Sequence, residues 1–71
     1  MKVWIVYRVD PRFPKVDVKV GRQYFSGFGH PESRFPNEEI WGRGRLEYWR
    51  IEDAISTALR VGGAVEEMVL P

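Results

Sequence analysis

The chain has 71 residues, of which 44% are hydrophobic, ten are aromatic and none is cysteine. Its 11 basic and 10 acidic side chains leave a net charge of +1, which excludes a strong overall field directed at nucleic acid or anionic membrane. The composition also excludes intrinsic disorder, a disulfide framework and a thiolate metal site. It predicts a single domain spanning residues 1–71.

The first strand is predicted over Lys2–Val9, where β-branched and aromatic residues predominate. Successive side chains of a strand point to opposite faces of the sheet. One face is apolar throughout: Val3, Ile5, Tyr7 and Val9. The other is mixed: Lys2, Trp4, Val6 and Arg8. Because both faces carry large apolar groups, we expect this strand to lie centrally in the sheet.

A second strand is predicted over Lys15–Val20, whose valines alternate with charged residues without interruption. The turn before it contains two prolines, which cannot donate a backbone hydrogen bond to a sheet. Gly21 is a candidate for a bulge, after which Gln23–Phe25 would continue the strand in a shifted register. The sequence leaves open whether Tyr24 or Phe25 faces the core.

A long loop is predicted over Ser26–Glu39, which contains glycines and prolines and shows no sustained periodicity. Loops of this length in compact domains are commonly functional. Phe28 and Phe35 either pin this loop to the core or are presented to a partner. We expect pinning, because large exposed apolar groups are costly.

A third strand is predicted over Ile40–Trp49, where two sets of residues alternate. The set expected to face inward is Ile40, Gly42, Gly44, Leu46 and Tyr48. The set expected to face outward is Trp41, Arg43, Arg45, Glu47 and Trp49. The inner set would pack against a helix. The outer set combines tryptophan and arginine, which dominate the binding energy of many protein interfaces.

A helix follows directly from the third strand. Its apolar positions have the spacing of one helical face: Ile51, Ala54, Ile55, Ala58, Leu59 and Gly62. Acidic residues in the first turn and Arg60 in the last complement the helix dipole. Gly62 and Gly63 predict a left-handed C-terminal cap, whereas Arg50 is a poor N-cap residue.

A final strand over Ala64–Leu70 returns the chain to the sheet. The sequence leaves open whether Val65 and Val69 or Met68 and Leu70 face the helix. The element order is β-β-loop-β-α-β. The predicted fold class is therefore α+β, with a small antiparallel or mixed sheet of three to four strands and one helix packed on one face.

The C-terminal third has a recognisable pattern. An aromatic residue, Tyr48, precedes an acidic helix start at 52–54, the helix ends at Gly62-Gly63, and a short strand at 65–69 closes the chain. This pattern resembles a class of very small phage and mobile-element accessory proteins of β-β-α-β type. The chain departs from it at Arg50, where Ser or Thr is usual, and in its long central loop. The resemblance implies a small protein that binds host or phage machinery, and it assigns no functional residue.

No set of residues predicts catalysis. The only histidine, His30, lies in the loop, and no nucleophile shows the sequence context of an activated one. The acidic residues of that loop lack metal-ligand spacing. We therefore predict no enzyme, no cofactor and no metal. The apolar runs are too short to span a membrane, and the expected location is the cytoplasm, or the host cytoplasm if the protein is phage-encoded.

The candidate binding surface is aromatic and basic. Its residues are Trp41, Arg43, Arg45, Trp49, Arg8, Phe28 and Arg34. The predicted function is a non-enzymatic protein-binding module, such as a phage-type inhibitor or adaptor of a larger host machine. The alternative is binding of single-stranded nucleic acid, RNA in particular, with bases stacked on aromatic rings and phosphates bound by arginines. Two further alternatives are a homodimer through the same face and a loop that covers its tryptophans.

Overall fold

The computed structural model describes residues 1–9 and 21–71. Within these ranges the chain forms four strands and one helix: β1 (Lys2–Val9), β2 (Arg22–Phe28), β3 (Glu39–Gly42), α1 (Ile51–Val61) and β4 (Ala64–Val69). The strands form one antiparallel sheet in the order β3-β2-β1-β4. The predicted α+β class is confirmed. The strand predicted over Lys15–Val20 and the turn before it lie outside the described residues.

The strand β1 is hydrogen-bonded on both sides, which confirms its predicted central position. It pairs with β4 over residues 2–7 but with β2 only over residues 7–9. On the β2 side, the first half of β1 is paired by Tyr48 instead. The backbone N–H groups of Trp4 and Tyr48 each donate to the other's carbonyl oxygen at 2.8 Å. A segment outside the strands therefore completes the pairing of the central strand.

The third strand is shorter than predicted. It ends at Gly42, so the prediction of a strand over Ile40–Trp49 is wrong in its extent. Glycines weaken strand pairing, and here the chain leaves the sheet edge at the first of them. A bulge lies at Ser26 of β2, which has no partner in β3. The bulge predicted at Gly21 depends on the strand predicted over Lys15–Val20, which lies outside the described residues. The chain after β3 then runs from β2 across to β1.

The helix α1 has the ends that its sequence predicts. Gly62 caps the C-terminus in the left-handed conformation, with φ 75°, and its N–H donates to the carbonyl oxygen of Ala58. Arg50 supplies no side-chain cap at the N-terminus. The burial of the helix differs from the expectation, because only Ala54 and Ala58 are buried. The large aliphatic residues of the predicted apolar face are exposed: Ile51, Ile55 and Leu59.

The core lies between α1 and one face of the sheet. Val6 of β1 and Phe25 of β2 pack with Ala54 and Ala58 of the helix. Partly buried residues surround this cluster: Trp4, Trp41, Tyr48, Val61 and Val65. The residue of β2 that faces the core is thus Phe25 and not Tyr24, and Val65 is among the β4 residues that face the helix.

The packing of α1 shows that some residues were predicted on the wrong face of the sheet. Trp4 and Arg8 alternate with the apolar residues of β1 and so share the face of Val6, which α1 covers. Trp41 packs on the same side. Of these residues, Arg8 and Trp41 were expected on the outer, binding surface. The expectation is wrong because the small side chains of Ala54 and Ala58 allow the helix to approach the face that carries the large aromatic residues.

The opposite face of the sheet is held together by Arg22. Its guanidinium lies 3.9 Å from the ring centroid of Tyr7 and forms an ion pair with Glu66, so it connects β2 across β1 to β4. The hydrogen bond to Glu66 raises the pKa of Arg22 further above its ordinary value. Val3 and Ile5 of β1 are buried on this face. The central strand therefore contributes buried residues on both sides of the sheet.

The close approach at the end of α1 generates a prediction about Gly63. A Cβ atom at this position would lie 2.8 Å from Val6 Cγ1, 3.0 Å from the Tyr7 carbonyl oxygen and 3.2 Å from Trp41 Cη2. We expect Gly63→Ala to lower the free energy of unfolding by about 1–3 kcal/mol, because the core must expand. The measurement is urea denaturation.

The matched control is Gly42→Ala. A Cβ atom at Gly42 has nothing within 4 Å, so this substitution should change the free energy of unfolding by less than about 1 kcal/mol. Equal denaturation midpoints for the two variants would contradict the packing described at Gly63.

Candidate functional site

The structure divides the seven predicted surface residues into two groups. Three of them lie among core residues on the helix side of the sheet or at its margin: Arg8, Trp41 and Phe28. The other four are exposed and lie outside the strands and the helix: Arg34, Arg43, Arg45 and Trp49. The seven residues therefore differ in their surroundings, because Arg8 and Trp41 are engaged in contacts on the helix side of the sheet whereas Trp49 is mostly in solvent.

The Trp41 ring is occupied by contacts within the molecule. It packs edge-on against Phe25, with ring centroids 5.4 Å apart, and its Nε1 donates to Glu39 Oε1 at 3.0 Å. The guanidinium of Arg8 lies 4.3 Å from its ring centroid, while Arg8 Nε donates to Gln23 Oε1 at 2.9 Å. Trp41 thus stabilises the domain, and Arg8 covers it with a cation–π contact.

Phe28 lies at the margin of the core. Its ring packs edge-on against Phe25 at 5.2 Å between centroids, and the guanidinium of Arg60 lies 4.7 Å from its centroid. Phe35 behaves differently, because 60% of it is exposed. The expectation that Phe35 pins the loop is wrong. The loop is closed by its backbone instead, since the Gly29 N–H donates to Glu38 and the Asn37 N–H donates to Gly29.

The segment of residues 43–49 lies outside the strands and is fixed to the sheet at several points. Ser26 Oγ donates to the Gly44 carbonyl oxygen at 2.6 Å. The Leu46 N–H donates to the Phe25 carbonyl oxygen at 3.0 Å. The reciprocal pair with Trp4 then holds Tyr48. A segment tethered through its own backbone in this way presents its side chains in a defined direction.

Trp49 is the most notable side chain of the 43–49 segment. Tyr48 packs against the core, whereas Trp49 is 67% exposed. The sequence left open whether the loop before β3 covers Trp49, and the structure leaves its ring exposed. Arg43 and Arg45 are exposed on the same segment. An exposed indole on a segment that also carries two exposed arginines suits a binding partner with an apolar pocket and acidic groups.

The sequence interpretation missed Leu46 and Ser26. Leu46 was expected to face the helix, but it is 40% exposed and lies close to Gly27. Ser26 occupies the bulge of β2, from which its hydroxyl reaches the 43–49 segment. The glycines at 42 and 44 were the available signal, because they indicate that the alternating pattern need not continue as a paired strand.

Among residues 1–9 and 21–71, no three histidine, cysteine or acidic side chains are placed to hold a metal ion. No helix in this part of the chain is long and apolar enough to cross a membrane.

Comparisons with protein-family models, with curated proteins and with solved structures find no match. The structure defines the class of protein as a small α+β domain with one exposed tryptophan on a tethered segment. Inference about its function therefore depends on the contacts and exposures of its own residues.

The contrast between two tryptophans generates a stability prediction. Trp41→Ala should lower the free energy of unfolding by about 3 kcal/mol, because the ring packs against Phe25 and the core. Trp49→Ala should change it by less than about 0.5 kcal/mol, because the ring is mostly in solvent. Chemical denaturation of both variants measures the difference. Equal losses would contradict the assignment of Trp41 to packing and Trp49 to the surface.

Proposed function

We propose that this protein is a non-enzymatic protein-binding module that acts as an inhibitor or adaptor of a larger protein assembly. The observation that carries the proposal is the exposure of Trp49 on a segment that the backbone of β1 and β2 holds in place. The resemblance of the C-terminal third to small phage accessory proteins points to the same class of function.

Energetics favour a binding role for Trp49. A large exposed apolar side chain gains free energy when a partner buries it, and tryptophan is among the residues most enriched at interface hot spots. Ordering a flexible loop on binding would reduce that gain. The hydrogen bonds of Leu46 and Tyr48 already order this segment in the free protein. The conformational cost of binding is correspondingly small.

The charges around Trp49 indicate the chemistry of the partner. Residues 43–50 contain three arginines and one glutamate. Arginine binds carboxylates through two parallel hydrogen bonds and stacks on aromatic rings. The net charge of the whole chain is only +1, so this positive region is local. The best-fitting partner is a protein surface with an apolar pocket bordered by acidic side chains.

The predicted nucleic-acid alternative has weaker support. Stacking of bases on a sheet needs aromatic rings that are open to solvent. Trp4 lies against the core beneath α1, and Trp41 is covered by Arg8 and Phe25. The aromatic platform expected on the outer face is therefore occupied by intramolecular contacts.

The test is affinity capture of a binding protein followed by measurement with the purified partner. Trp49→Ala should weaken binding by about 2 kcal/mol or more, roughly 30-fold in Kd. Phe35→Ala is the matched control, because Phe35 is also an exposed aromatic residue but lies in the loop. Its affinity should equal that of the wild type. The double variant Arg43→Glu/Arg45→Glu should slow association with an acidic partner.

Two results would contradict the proposal. One is a partner that Trp49→Ala and the wild type bind equally well. The other is binding of labelled single-stranded RNA or DNA that falls steeply between low and high salt and is lost in Arg43→Glu/Arg45→Glu, since this dependence is the signature of phosphate contacts.

A further inference from the structure

We propose that the protein associates with a second copy of itself through the edge of β4 and the exposed apolar side of α1. This surface is formed by other residues than Trp49 and the 43–49 segment. The argument has four parts: the free strand edge, the position of the apolar residues beside it, the geometry of a two-fold pair, and the self-complementarity of the surface.

The edge of β4 is open within the described sheet. Trp4 directs its backbone groups to Tyr48, so the alternate residues Val3 and Ile5 direct theirs to β4. Their partners there are Met68 and Glu66. The intervening residues of β4 therefore point their N–H and C=O groups away from β1: Val65, Glu67 and Val69. This edge is six residues long, whereas the opposite edge strand β3 has only four.

The exposed aliphatic residues of α1 lie on the side of this open edge. Arg60 leans over Phe28 of β2, which marks the flank of the helix that faces β2. Ile55 lies roughly 220° from Arg60 when the angle is measured through Ala54 and Ala58, which turn towards the sheet, so the two residues lie on opposite flanks of the helix. Since α1 packs on β1 and β4, its other flank overhangs β4.

The apolar surface on this flank is large for such a small domain. Leu59 is 82% exposed and Ile55 44%, and Ile51 lies one turn further along the same stripe. Val69 of β4 is also mostly exposed. Together these side chains expose roughly 400 Å² of apolar surface, which lies within the range of about 300–600 Å² of the largest, often functional, patch on a typical monomer. Two such patches and two strand edges would bury about 1,000 Å², the lower bound of a specific interface.

A two-fold axis beside the middle of β4 brings together both the strand edges and the apolar helix flanks of the two copies. Neighbouring strands lie about 4.8 Å apart, so two helices that each lie over β1 and β4 would be about 10 Å apart across the axis. Packed helices are separated by about 8–10 Å. With the axis at Glu66, Ile55 meets Ile55 of the second copy and Ile51 faces its Leu59. The two sheets become one continuous eight-stranded sheet.

The charges permit this register. Glu67 would lie opposite Val65 of the second copy and keeps its own ion pair with Lys2, whose Nζ is 3.5 Å away. The two Glu66 side chains would lie opposite each other, but each is bound to Arg22 of its own chain, which neutralises it. An axis at Glu67 would instead place two carboxylates paired only with exposed lysines opposite each other, which is unfavourable.

A second copy fits this surface better than a foreign segment. A single added strand would complete the edge of β4 but would not reach the level of the helix, because a helix packs about 10 Å above a sheet. A single added helix would cover Ile55 and Leu59 but leave the strand edge unpaired. Only a strand with a helix above it would cover both the strand edge and the apolar residues of α1. This is the arrangement of β4 and α1 themselves.

The test measures the mass of the full chain in solution by light scattering over a dilution series. The wild type should approach twice the chain mass of 8.3 kDa as its concentration rises. Ile55→Glu should halve that mass while the circular dichroism spectrum stays native, because Ile55 is not part of the core. The matched control is Ile40→Glu on the opposite edge strand, where Ile40 is 47% exposed, and it should leave the mass at the wild-type value.

Two further variants test the strand edge and the axis. Glu67→Pro removes an outward N–H and should give single chains, whereas Glu67→Gln keeps that N–H and should still pair. The chain has no cysteine, so Ile55→Cys provides a single thiol, which should cross-link readily to that of a second copy, unlike Ile40→Cys. A single-chain mass for the wild type at every concentration would overturn the proposal and leave the surface to a foreign protein. Equal cross-linking of the two cysteine variants would also overturn it.

Discussion

The interaction on which the architecture depends is the reciprocal backbone pair between Trp4 and Tyr48. The strand β2 pairs with only the last residues of β1, so the first half of the central strand would otherwise lack a partner on that side. Burying backbone groups without hydrogen-bond partners is costly, and Tyr48 supplies the partners of Trp4. It also fixes where α1 begins, because the helix starts three residues later at Ile51. The position of the helix over the sheet follows from this short connection.

The three tryptophans of the chain lie in three different environments. Trp4 contributes its backbone to the pair and its side chain to the margin of the core. Trp41 packs on Phe25 beneath Arg8 and belongs to the folded interior. Trp49 follows Tyr48 directly and is left in solvent. The hydrogen bonds that complete the sheet thus also present the one exposed indole. The 43–49 segment is thus held by hydrogen bonds to β1 and β2.

Much of the fold could be predicted from local pattern, because β1, α1 and β4 have strong periodicity or clear end signals. The Gly62 cap and the spacing of Ala54 and Ala58 define the helix without reference to the rest of the chain. The facing of Trp41 could not be predicted, since it depends on which face of β1 the helix covers. The strand predicted over 40–49 failed for a similar reason. The two sets of residues in 40–49 do alternate. After Gly42, however, the chain no longer continues its hydrogen-bond ladder with β2, and Tyr48 pairs with Trp4 of β1 instead. Of the candidate site, Arg43, Arg45 and Trp49 are exposed, although the sequence left open whether the loop covers Trp49.

The most direct test of this account is amide hydrogen exchange at Trp4 and Tyr48, followed residue by residue by NMR. If their reciprocal pair closes the central strand, both amides should exchange as slowly as those of the β1–β4 ladder, such as the amide of Ile5. The exposed amide of Arg45 serves as the fast reference. Exchange of the Trp4 and Tyr48 amides at the rate of Arg45 would show that the 43–49 segment is not held to the sheet, and it would contradict both the architecture and the ordered presentation of Trp49.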